Sequence, residues 1–482
     1  MLAAGEYREL GEAAWAWVAR QVQDDAGPWL PEEVPVGGPP AAPGPDRDSL
    51  YEGIAGLAPV LAEIRQYRPL ADAEQSLAAG IVTRLLAMTA ARTESSLYVG
   101  LAGDATALKL LAPGREQAAL ARLAGLATPL GWNTTLELEP GSVAPVTDLI
   151  QGTAGVVLAA VWAGGPAAHG IAETGGQALL QAADQLDDGL DWRMFPGYRS
   201  STPNYSHGTA GVAAALAIAG TALGRADFVT AAERGAAHLL GVGTLDGNGF
   251  VVPHTLPYST RDVDPVTYNW CHGPAGTSQL FPALAGAGVD TVAGRPVTWL
   301  RQRCLDAILA SGVPQRLRPG FWDNDGRCCG TAGVGDILLD AAQDCAAQDE
   351  GRASWLLQSA HTMADAIAGR AIRDQAGVYW RFTDHHRDPP LLPPGTSWMQ
   401  GAAGIAAFLL RMARVAEHGL TAPVVDRPDQ WWAVPAQLRL ISAAGPNAAE
   451  DLGYRAGAAC AGPGALPVKS AVAGVASESG PQ

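Results

Sequence analysis

Cys328 and Cys329 stand side by side in GRCCGTAG, directly ahead of a glycine-rich tetrapeptide. Cys271 lies two residues ahead of another, in YNWCHGPAG. His207 directly precedes a third, in NYSHGTAG, and Asp148 lies four residues before a fourth, in TDLIQGTAG. A disulfide between sequence neighbours is strained, because the ring it closes distorts the backbone. A free cysteine is most often a small buried hydrophobe, but the polar run Asp323, Asn324, Asp325 does not read as core. Three of six cysteines share one phase of a repeating tetrapeptide, and this favours metal chemistry. Zinc takes thiolate sulfur readily, and catalytic zinc sites use three protein ligands and one open position. Soft thiolates also select against magnesium and calcium. Cys271, Cys328 and Cys329 are therefore the expected Zn2+ ligands. Singly, His207 reads as a packing residue and Asp148 as a helix cap; their shared position with the thiols makes both candidates for proton transfer. His272, next to Cys271, is a further candidate for the metal or for proton transfer. Cys304 and Cys345 fall off this phase and read as helix packing, and Cys460 as part of a tail.

The elements that must position these residues recur. G-x-A-G appears at 53–56, 100–103, 152–155, 208–211, 273–276, 330–333 and 401–404, seven copies in all. Self-similarity at such intervals signals a repeat architecture. Each copy opens a stretch such as GTAGVAAALAIAG that is apolar nearly all round, as a buried helix is. Between the copies lie amphipathic stretches with apolar positions spaced at three and four, such as FVTAAERGAAHLL and WLLQSAHTMADAIAG. The third, REQAALARLAGLA, is bracketed by Pro113 and Pro129. The unit reads as amphipathic helix, loop, G-x-A-G, buried helix. Seven units predict an all-α fold, an α/α toroid of seven inner and seven outer helices. Small residues at the inner helix starts would let those helices converge. An open solenoid would need polar end caps and would not need its inner helices apolar all round. The toroid occupies residues 1–435, and 436–482 reads as a flexible tail without periodicity. In a toroid every candidate residue lies at one end, around the central mouth.

The net charge of −16 and the lack of a basic cluster argue against nucleic acid as a partner. No apolar run reaches membrane-spanning length, and the start MLAAGEYREL does not read as a secretory signal. The expected setting is a reducing cytoplasm with free thiols. A glycosidase on the same fold would need paired acids at the mouth, where only Asp148 has the right phase.

The sevenfold tetrapeptide, WC-x-G at Trp270–Gly273 and C-[HC]-G at 328–330 together resemble the lanthionine synthetase C-like family over residues 1–435. The resemblance implies a zinc-dependent cyclase that adds a peptide cysteine thiol to dehydroalanine or dehydrobutyrine, closing a thioether ring. Cys271 and Cys328 match the first two zinc ligands, and Cys329 stands where the family usually has histidine. His207 matches the catalytic histidine and Asp148 the acidic residue one repeat earlier. The implied partners are a dehydrated precursor peptide and a dehydratase. Two features depart from or broaden this pattern. Bacterial-type peptide cyclases often carry arginine at the position of Thr267. The WCHG form is also shared with members that act on glutathione. A glutathione-adding enzyme and a zinc-bearing binding scaffold are the alternative expectations.

Overall fold

Alanine-rich segments that are apolar all round alternate with segments apolar on one side only, and the chain folds accordingly into two concentric rings of helices. In the computed structural model the described residues are 1–35, 42–135, 142–258, 264–384 and 387–429. In chain order they form α1 (Ala4–Gln21), α2 (Leu57–Arg65), α3 (Asp72–Met88), α4 (Leu101–Leu111), α5 (Gln117–Leu126), α6 (Thr153–Ala163), α7 (Pro166–Ala182) and α8 (Thr209–Leu223). There follow α9 (Ala226–Val242), α10 (Pro274–Thr277), α11 (Leu280–Gly286), α12 (Val297–Ala310), α13 (Thr331–Cys345), α14 (Glu350–Arg370) and α15 (Ala402–His418). The expected tail and Cys460 lie outside the described residues.

The inner ring is α2, α4, α6, α8, the α10–α11 pair, α13 and α15. Each packs on the next, and α15 packs on α2, so the ring closes. Every residue of α6 is buried. The outer helix α9 instead buries one stripe, with Phe228, Ala231, Ala232, Gly235 and Leu239 inward. The fifth inner helix is broken because Pro282 has no amide to bond the carbonyl four residues back.

Two expectations need correction. The packing unit is an inner helix with the outer helix that follows it, not the one before: α6 pairs with α7, α8 with α9 and α13 with α14. The first helix, α1, packs on the last inner helix, α15, and so closes the outer ring. The glycines also have another reason. A Cβ on Gly155, Gly211, Gly276 or Gly333 would lie 2.2, 1.9, 1.9 or 1.8 Å from the carbonyl oxygen of the residue six positions earlier. The tightest approach is therefore made by the loop that precedes each inner helix, folded back on its own first turn, and the neighbouring repeat also comes close: the Cβ on Gly155 or Gly276 would lie 2.8 or 2.6 Å from the Cβ of Leu97 or Tyr205.

That fold-back also caps the helices. An α-helix start leaves amides without intrahelical partners, and the inner helices have no side-chain caps. Instead, Thr153, Ala154 and Gly155 donate to the carbonyls of Val146, Thr147 and Asp148. Thr331, Ala332 and Gly333 bond Asn324, Asp325 and Gly326 in the same way. At the opposite end, residues 419–429 run under the toroid, where Gln343 Nε2 donates to the carbonyls of Leu420 and Ala422. The segment then reaches up inside the toroid, where Arg427 is buried among Asp336, Asp429 and Glu63 with its guanidinium 5.3 Å from the Trp398 ring.

Candidate active site

The residue two positions ahead of each G-x-A-G copy belongs to a closed ring of backbone hydrogen bonds. The amide of Tyr51 donates to the carbonyl of Tyr98, Tyr98 to Ile150, Ile150 to Ser206 and Ser206 to Cys271. Cys271 donates to Cys328, Cys328 to Met399 and Met399 back to Tyr51, with N···O distances of 2.8–3.3 Å around the ring. Cys271 and Cys328 are consecutive members, so their Cα atoms are held as neighbours by all seven repeats. Arg327, just before Cys328, pairs with Asp336 at 2.8 Å and stacks over Trp398 at 4.2 Å, which fixes this loop from below. The polar run expected to lie outside the core is in part inside it. Asp325 is buried, because Arg370 Nε lies 2.9 and 3.0 Å from its carboxylate oxygens and neutralises it.

The ring and the turn beyond it bring the three thiols together: the sulfurs of Cys271, Cys328 and Cys329 lie within 4.8 Å of one another, and those of Cys271 and Cys329 are 3.4 Å apart. Burial first, then the two neighbouring sulfurs, push the Cys271 thiol well above its ordinary range. Hydrogen bonds from Cys271 and Cys328 hold Cys329 well below it. Buried side by side, the sulfurs thus disfavour ionising together, and a cation among them would relieve that cost. Three converging sulfurs suit a soft divalent ion such as zinc and leave room for a fourth ligand.

A second cluster adjoins the thiols. Asp148 is fully buried; its Oδ2 lies 2.8 Å from His207 Nδ1 and its Oδ1 accepts the Gln151 amide at 2.7 Å. The second bond is a turn shared by the repeats: Ser49, Ser96, Asn204, Asn269 and Ser397 accept the corresponding amide in theirs. The Oδ2 contact to His207 belongs to this repeat's aspartate. His272 places Nδ1 3.0 Å from Cys271 Sγ. Burial, helped by the nearby imidazoles of His254 and His207, lowers its pKa to about 3, so its ring is neutral.

Three further side chains at the mouth carry no signal that reading by repeat phase picks out as chemistry. Gln400 Nε2 lies 3.0 Å from the Tyr51 hydroxyl and 3.5 Å from Cys329 Sγ. Both residues lie in repeats that look poor in ligands. His254 packs against His272, the ring centroids 3.9 Å apart and the planes tilted by 57°, yet sits in a loop far from any tetrapeptide. Above these groups opens a cavity of about 630 Å³, lined among others by His254, Thr267, Asn324, Phe382, Leu392 and Gln400. A smaller one of about 180 Å³ reaches Cys329 beside Asn269 and Trp322.

The profile of lanthionine synthetase C-like proteins matches residues 44–418, most of the chain. The chain belongs to the lanthionine synthetase C-like family. Among solved structures it is similar to one described as nisin cyclase, at 14% sequence identity and a TM-score of 0.53. The match covers 82% of this chain and 93% of that one, a likeness of fold. No protein of curated function matches it in sequence. For a lanthionine synthetase C-like protein, a third cysteine in place of the usual histidine is the main departure in the sulfur cluster, which could hold a metal ion. Among the described residues, no helix is long and apolar enough to cross a membrane.

Proposed function

We propose that this protein is a zinc-dependent cyclase that joins cysteine thiols to dehydroalanine or dehydrobutyrine within a modified peptide. The observation that carries this reading is the cluster of three sulfurs beside the Asp148–His207 pair, under an open cavity, in a family fold. The solved neighbour's name, nisin cyclase, points the same way. Cys271, Cys328 and Cys329 would hold the zinc. When bound, it would acidify a substrate thiol so that thiolate is present at neutral pH.

The chain's own groups supply the rest. The dehydro residue's β-carbon gains the sulfur, and its π electrons move towards the carbonyl as an enolate. Asp148 holds the His207 imidazole through Nδ1, so the proton that quenches the enolate leaves from Nε2 to the α-carbon. The proton that the thiol gives up leaves to solvent, and solvent returns one to His207 after the step, so the addition balances. Cavity walls from separate loops, including residues 32–33, 318–320, 382–384 and 392–393, admit an extended peptide rather than a fully enclosed small molecule.

A second reading is addition of glutathione to the same acceptors, favoured by the WCHG sequence at 270–273. Incubation of the zinc-loaded protein with a dehydrated cysteine-containing peptide, with and without glutathione, separates the two. The cyclase consumes the peptide's own thiol without changing its mass. The alternative leaves that thiol alkylatable and adds the mass of glutathione. A binding scaffold does neither.

A further inference from the structure

The cyclase reading leaves one charge without a partner. Attack on the β-carbon sends negative charge to the carbonyl oxygen of the dehydro residue, and such an oxygen needs a positioned donor. His207 is committed to the α-carbon, Gln400 faces Tyr51 and Cys329, and His272 Nδ1 faces Cys271. Among the described residues, His254 is the imidazole that lines the cavity.

Its placement is built. Ser201 and Leu256 exchange a pair of backbone hydrogen bonds of 2.9 and 2.8 Å. The His254 amide donates to the Pro265 carbonyl at 2.8 Å, and its carbonyl accepts from Asn204 Nδ2 at 3.0 Å. The ring packs on His272, which itself touches Cys271. Nδ1 is buried and has no hydrogen-bond partner among the described residues. An imidazolium there would carry a buried, unpaired N–H, so the ring is held neutral; burial lowers its pKa accordingly. Proton uptake would create that same buried N–H, which counts against a role as base. The neutral tautomer with the proton on Nε2 avoids it and leaves an N–H for the cavity.

We propose that His254 is a further catalytic residue of this cyclase: a neutral imidazole that donates its Nε2–H to the enolate oxygen formed when the thiol adds. The donor is made by the geometry and stays unchanged in protonation through the reaction. Sulfur gains carbon at the β-position, the oxygen carries the charge transiently, and the proton at the α-carbon comes from His207.

The proposal rests on the cyclase reading, and parent protein with the dehydrated peptide is the control for that reading. His254→Phe keeps a ring against His272 but removes the donor; His254→Gln keeps an N–H of similar reach. Zinc content and melting temperature of both should match the parent. His254→Phe should lose roughly 10²–10³-fold in kcat, the cost of one missing oxyanion donor, with KM unchanged. His254→Gln should recover most of that loss, and the pH profile should keep its shape in both. Equal rates for the Phe and Gln variants, or loss of the acid limb of the pH profile in both, would overturn the assignment; the second result would make His254 a base. If His254→Phe does not fold, the same comparison is made between His254→Gln and His254→Ala. A parent protein that forms no thioether at all contradicts the cyclase reading, and this assignment falls with it.

Discussion

Asp148 Oδ2 lies 2.8 Å from His207 Nδ1 while its Oδ1 accepts the Gln151 amide, so one carboxylate both closes a turn and orients an imidazole in the next repeat. Serine and asparagine close the same turn elsewhere in the ring. Asp148→Asn should therefore fold and melt like the parent, yet fail to hold His207 in its tautomer. Cyclisation should fall by roughly 10²–10⁴-fold, as expected when an oriented general acid is lost. A melt close to the parent's together with near-parental rate would show that Asp148 serves the turn alone.

Cys329 replaces the histidine usual in this family, so three thiolates in place of two would donate to the zinc. A bound substrate sulfur should then be held less tightly and be more nucleophilic. Cys329→His should retain one zinc per chain and cyclise more slowly at equal metal content. A rate at or above the parent's removes that electronic reasoning. Cys329→Ala should lose the metal; full zinc there would make His272, with Nδ1 3.0 Å from Cys271 Sγ, the third ligand instead.

The glycines position the clustered cysteines through their loops. A Cβ on Gly276 would lie 1.9 Å from the Trp270 carbonyl, and one on Gly103 2.4 Å from that of Leu97. Gly276→Ala and Gly103→Ala should each cost about 1–3 kcal/mol of stability, the usual penalty of overpacking. Of the two, Gly276→Ala displaces the residue next to a cysteine of the thiol cluster, so it should weaken zinc binding more at equal stability loss. Competition with a chelator reads that difference directly.

Much of this was legible in the sequence because the fold repeats. Seven tetrapeptides fixed the number of inner helices, and their phase placed Cys271, Cys328, Cys329, His207 and Asp148 at one mouth. Which helices pair was not legible, since α1 and α15 are joined only through ring closure. Nor was the reason for the glycines, which depends on a fold-back of the chain that periodicity does not report. His254 escaped because a loop held by long-range bonds to Ser201 and Asn204 leaves no local pattern. Gln400 escaped because an amide is a poor metal ligand, and its contact with Cys329 is a matter of reach.

Asp104, within α4, is buried with Arg92 Nη1 3.2 Å from its Oδ1, but burial outweighs this partner and raises its pKa from 3.8 to about 7. The folded state therefore binds this proton more tightly than the unfolded state. The penalty is absent below about 3.8, grows as pH rises to about 7 and is complete above it. That gap corresponds to roughly 4 kcal/mol as an upper bound. Asp104→Asn should melt higher than the parent at pH 8, with the advantage shrinking as pH falls towards 4. Parallel melting curves across that range would contradict the burial argument.

The cyclase assignment itself turns on whether the sulfur cluster supports carbon–sulfur bond formation. The direct measurement is the number of alkylatable thiols on a dehydrated, cysteine-containing peptide after incubation with zinc-loaded protein, without glutathione, beside Cys329→Ala and His207→Asn. The account predicts that parent protein removes the peptide thiol at unchanged peptide mass, that Cys329→Ala does not, and that His207→Asn does so roughly 10²–10⁴-fold more slowly while keeping its zinc. A peptide thiol that stays fully alkylatable with zinc-replete parent protein, across peptides of differing ring size, would contradict it.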